Sequence, residues 1–155
     1  MADPAGMSVI VRVVVRWLFA FVLIFGFAVA LFGHVSPGGG FAGGVIIACA
    51  YVLATLAFGA KDGPAAWMKK RASTLDALGA LALLALAFLG FLSGHFLQSW
   101  IGSEPELFEL GSSTYVVLLN LAIMLKVGAG LFAGFMAIVS FTGAATDADG
   151  TEAKS

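Results

Sequence analysis

Charge is scarce in this sequence, and cysteine and histidine are scarcer still. Only 11% of the 155 residues are Asp, Glu, Lys or Arg, whereas a soluble domain carries about a quarter. Eight Lys and Arg stand against nine Asp and Glu, a net charge of -1, so no basic field exists to hold nucleic acid. Cys49 is the single cysteine and sits in an apolar run. It can build neither a disulfide framework nor a cysteine-ligated metal cluster. His34 and His95 are isolated, and no zinc-protease, dinucleotide, P-loop or Ser/His/Asp pattern appears. The chain is therefore expected to carry no cofactor, no metal and no catalytic site of its own.

Apolar residues fill the space left by charge: 61% of the sequence is hydrophobic and the mean hydropathy is +1.03. A helix rises about 1.5 Å per residue, so roughly 20 apolar residues cross a hydrocarbon core of about 30 Å. Four segments qualify, at 13–32, 41–60, 75–97 and 115–141. Unpaired backbone amides are costly in lipid, so the expected fold is an all-α membrane protein with four transmembrane helices. Residues 1–12 form a leading segment and residues 142–155 a small, polar tail expected to be flexible. Pro37 and the following glycines make a tight link between the first two spans. Ser73 with Asp76 resembles a capping box that opens the third span and leaves Asp76 in its first turn.

Positive charge sets the expected direction. Arg12 and Arg16 mark the start of the first span, and Lys61, Lys69, Lys70 and Arg71 lie between the second and third. Both termini are then cytoplasmic, with Glu104, Glu106 and Glu109 on the outer side. Trp17, Trp67, Trp100 and Tyr115 fall near the expected interfaces. Arg12 and Arg16 followed by an apolar run ending Ala28-Val29-Ala30 imitate a signal peptide. Losing that span would strand an odd number of helices against the charge bias, so it is read as retained.

Lys126 is the ionisable group expected near mid-membrane. It costs about 2.5 to 3.5 kcal/mol on insertion scales, which the 14 Val, Leu, Ile and Phe residues of its span can outweigh. Its helical face is largely small: Ala122, Ile123, Ala129, Gly130 and Ala133, a face suited to protein rather than lipid. Two roles follow, a buried ammonium on a proton or cation route, or a structural salt bridge. With Asp76 placed at the membrane edge, the carboxylate partner is expected from another polypeptide. Asn120 points about 120° away and reads as interhelical glue. His34 and His95 end spans on the outer side, where imidazole could serve a proton or cation entrance. Glycines four apart, Gly40 with Gly44, Gly90 with Gly94 and Gly130 with Gly134, allow close backbone approach within the bundle or against neighbouring subunits.

The stretch Gly33-His34-Val35-Ser36-Pro37-Gly38-Gly39-Gly40-Phe41-Ala42-Gly43-Gly44 resembles the signature of the MnhB/MrpB family, which follows a first transmembrane helix. The resemblance implies a small integral subunit of Mrp-type multisubunit Na⁺/H⁺ antiporters in a prokaryotic cell membrane. Its partners would be the other subunits, the bilayer, and Na⁺ and H⁺ as transported ions. Related subunits occur in membrane-bound hydrogenases and other redox-driven ion pumps, which is the alternative. Gly33, His34, Pro37, Gly38, Gly39, Gly40, Phe41, Gly43 and Gly44 are then expected at a subunit contact. One departure stands out: family members tend to carry an acid near the position of Lys126, within a motif comparable to Leu125-Lys126-Val127-Gly128. The reversed sign favours a proton relay or pairing with a carboxylate over direct cation coordination. A self-sufficient small exporter would need an acid inside a span, and a membrane enzyme a polar cluster.

Overall fold

The computed structural model describes residues 8–33, 38–59, 64–92 and 114–152. These residues form four α-helices, α1 (Val9–Leu31), α2 (Gly39–Phe58), α3 (Pro64–Leu92) and α4 (Thr114–Glu152). Each contains a stretch long and apolar enough to cross a membrane, and the chain is a multi-pass membrane protein.

The helix boundaries differ from the hydropathy pattern in an instructive way. α3 starts at Pro64, not near Leu75. Proline suits the first helical position because its missing N–H is an orphan there in any case. The basic run Lys69-Lys70-Arg71 is thus helical rather than a link, and Ser73 with Asp76 is no capping box. Asp76 lies well inside the helix. α4 likewise continues past Phe141 to Glu152, through the segment expected as a flexible tail. Hydropathy reports which residues prefer lipid, while helices continue wherever backbone hydrogen bonds can be made.

α2 and α4 are the inner pair. α2 packs against α1 on one side and α4 on the other, and α3 leans mainly on α4. Glycine explains how closely these helices approach. A Cβ on Gly43 would lie 2.6 Å from the carbonyl oxygen of Gly26, and one on Gly44 would lie 2.8 Å from that of Met124. Without hydrophobic drive between helices in lipid, such backbone contact supplies the attraction. The other half of the bundle is filled by bulk: Phe132 is fully buried and clusters with Met68, Ala72, Ala129 and Met136. Rings join three helices there, Phe19 of α1 edge-on to Tyr51 of α2 at 5.3 Å, and Tyr51 to Phe132 of α4 at 5.8 Å. Outward, α1 and α3 present large apolar side chains such as Phe21, Ile24, Leu81 and Leu84.

Candidate functional site

Lys126 sits roughly midway along the apolar part of α4, and Asp76 occupies the corresponding depth on α3. The Lys126 Nζ donates to Asp76 Oδ1 at 2.7 Å. This corrects the expectation that the carboxylate must come from another polypeptide. Once α3 begins at Pro64, Asp76 moves from the membrane edge to its interior and meets the ammonium. A charge-assisted bond of this length is strong where the dielectric is low.

Two glycines make the pairing possible. On α3, a Cβ at Gly79 would fall 2.7–2.9 Å from the backbone N, Cα and Cβ of Lys126. On α4, a Cβ at Gly130 would come 3.1 Å from Asp76 Oδ1. Each charged residue therefore rests against a glycine of the opposite, antiparallel helix, one turn from the other charge. The pair is not sealed: the side chains remain 40% exposed for Lys126 and 32% for Asp76. Lys126 retains donors and Asp76 retains an oxygen for further hydrogen bonds. Of the residues expected beside Lys126, Ala122 and Ala129 are buried, while Ile123, Gly130 and Ala133 are half-buried.

Asn120 behaves as interhelical glue. Its Oδ1 accepts from the Gly40 N–H at 3.3 Å, tying α4 to the first turn of α2. Glycine is needed on the facing surface: a Cβ at Gly39 would sit 3.0 Å from Asn120 Oδ1, and one at Gly40 would collide with the Asn120 carbonyl. Gly38 and Gly39 have φ of 129° and 50°, a backbone that other residues rarely adopt. The buried Nδ2 of Asn120 has no partner among the described residues. The signature glycines Gly33, Gly39, Gly40, Gly43 and Gly44 thus meet other helices of this same chain, while Phe41 faces outward at 63% exposure.

His34 and Pro37 of the signature stretch, and His95, lie outside the described residues. Tyr115, the first residue of the apolar stretch of α4, is buried and donates its hydroxyl to the Leu86 carbonyl at 3.1 Å. Asp76 and Gly79 were missed by the sequence reading. The available signal was an acid and a glycine three residues apart in an otherwise apolar run.

Comparison with known proteins agrees with this architecture. Residues 10–133 match the MnhB family, described as a domain related to the MnhB subunit of Na⁺/H⁺ antiporter. An uncharacterized protein of Methanocaldococcus jannaschii is 38% identical over 112 residues, covering 68% of this chain and 42% of that protein. The chain thus spans less than half the length of this relative. A Staphylococcus aureus protein named "Putative antiporter subunit mnhB2" is 31% identical over 136 residues, covering 79% of this chain and 96% of its own length. Among solved structures, a chain of the membrane-bound sulfane sulfur reductase, an archaeal respiratory membrane complex, aligns with a TM-score of 0.69 at 26% identity. That alignment covers 85% of this chain and 58% of the other. With its four spans, its glycine-lined first link and this extent of similarity, the chain belongs to the MnhB family.

Proposed function

We propose that this chain is an integral membrane subunit of a multisubunit Na⁺/H⁺ antiporter in a prokaryotic cell membrane, without a catalytic site of its own. The observation that carries the reading is the Asp76–Lys126 pair at mid-depth, in a chain of the MnhB family. Ionisable groups at that depth are costly and mark ion routes or contacts between polypeptides. The pair supports a role for Lys126 in the ion-translocating module, and its partial exposure calls for a neighbour, since acyl chains offer no hydrogen bonds. Arg12, Arg16 and the Lys69-Lys70-Arg71 run support an orientation with both termini on the cytoplasmic side. His34 and His95, at the opposite ends of their spans in sequence, are the candidates for an outer entrance.

The respiratory complex that contains a similar chain is compatible with an antiporter module coupled to a redox reaction. One experiment separates these outcomes. The chain, tagged at its C-terminus, is purified in mild detergent and its companions are identified. Antiporter subunits alone are the expected result. Iron–sulfur or hydrogenase subunits would move the chain to a redox-driven pump, and recovery as a lone, transport-competent oligomer would overturn the subunit reading.

A further inference from the structure

The seam between α3 and α4 has two dissimilar ends. One face of α3 carries Lys69, Ser73 and Asp76 at successive helical turns. Opposite runs a stripe of α4 made of Lys126, Gly130, Ala133, Ala137 and Ser140, spaced alternately by four and three residues. Between them lies a groove of ≈ 290 Å³ lined by Lys69, Ser73, Ala133, Ala137 and Ser140 and floored by Phe132. Its inner end stops one helical turn short of the ion pair, because Ser73 precedes Asp76 by three residues and Ala133 follows Gly130 by three. The other end of the seam is apolar: it holds a groove of ≈ 400 Å³ with no polar side chain in its lining. The buried Tyr115 hydroxyl bonds Leu86 there, and the groove beside it is lined by Ala and Leu side chains only, among them Leu86, Leu118 and Leu125.

We propose that the groove starting at Lys69 is a one-sided water path from the membrane surface to the Asp76–Lys126 pair. The space holds several waters at about 30 Å³ each. Lys69, Ser73 and Ser140 supply hydrogen-bond partners along its length, and the partly exposed Asp76 and Lys126 stand one turn beyond its inner end, within reach of a bridging water. The Ser140 hydroxyl donates to the Met136 carbonyl at 2.8 Å, which leaves its oxygen to accept from water. Water, and protons moving through it, fit this path better than a metal cation. A cation would meet an ammonium at each end, Lys69 and Lys126, and a single carboxylate. The proposal rests on the complex-subunit reading for the outer wall alone: the groove is open along one side, where a neighbouring subunit would cover it.

The test uses thiol accessibility in membranes holding the assembled complex, with Cys49→Ser as background. Single cysteines replace Ser73, Ala133 or Ala137. Leu78→Cys and Leu131→Cys serve as controls, both exposed residues on the opposite faces of the same helices. A charged, membrane-impermeant thiosulfonate should modify the groove positions at least about tenfold faster than the controls, because a thiol in apolar surroundings stays protonated and unreactive. Modification should occur only from the side bearing Lys69. Adding Ala137→Phe, which fills the groove between the surface and position 133, should slow modification of Ala133→Cys by a similar factor. Equal rates at groove and control positions, or no effect of the Phe plug, would overturn the water path. The subunit reading fails separately: fast groove labelling in a chain that purifies alone would leave the groove standing and remove the complex.

Discussion

α4 meets α2 along one seam and α3 along another, and the two contacts are built on opposite principles. Against α2 the contact is backbone on backbone, with Gly40 under Asn120 and Gly44 against Met124 and Gly128. Near the start of α2 glycines leave no room between the backbones, and Asn120 ties the two helices by its bond to Gly40; only farther along do the rings of Tyr51 and Phe132 meet. Against α3 the glycines Gly79 and Gly130 cradle a pair of opposite charges, and beyond them the helices part around a groove. Glycine thus serves rigidity on one side and admits charge on the other. A seam with no room for a methyl group fixes the fold, whereas a seam with spare hydrogen-bonding capacity can take part in transport.

The sharpest way to break this contrast is Gly40→Ala. The added methyl meets backbone of Asn120, which cannot rotate aside, so the α2–α4 seam must separate. Overpacking of this kind costs about 3 kcal/mol or more, and most of the variant should be lost from the folded, detergent-extractable fraction measured by size exclusion. Next in size is Lys126→Met, which leaves Asp76 alone at mid-depth at a cost of about 2.5 to 3.5 kcal/mol. Adding Asp76→Leu removes that stranded charge and should restore the thermal midpoint of the folded chain towards wild type, while Na⁺/H⁺ exchange in vesicles stays low. Restored exchange in the double variant would reduce the pair to a structural clasp. The smallest expected effect is that of Gly134→Ala, within about 0.5 kcal/mol, because nothing lies within 4 Å of the added Cβ. A large loss there would mean that a neighbour packs on this face of α4.

Much of this architecture could be read from the residues, and the principal error has a single physical origin. The four apolar runs, the glycine-rich turn into α2 and the bridging role of Asn120 all follow from local chemistry. The site did not, because one boundary was drawn by hydropathy. Lys69, Lys70 and Arg71 look like a link when scored for lipid preference, yet they form the first turns of α3, whose start is set by Pro64. Moving that start inward carried Asp76 to the membrane edge and left Lys126 without its partner. The groove was illegible for a different reason: it arises where Phe132 and Met136 prop helices that glycines elsewhere bring together, a property of three-dimensional packing rather than of spacing.

The row of rings across α1, α2 and α4 also shapes the bundle. Where Gly26 faces Gly43 the first two helices touch backbone to backbone; farther along, Phe19 and Tyr51 stand between them. The contacts of α2 are consequently backbone-close towards its start and held by rings towards its finish. Tyr51 is the shared member of both ring contacts, so trimming it would uncouple α1 from α4 at that level while leaving the glycine contacts near the start of α2 in place.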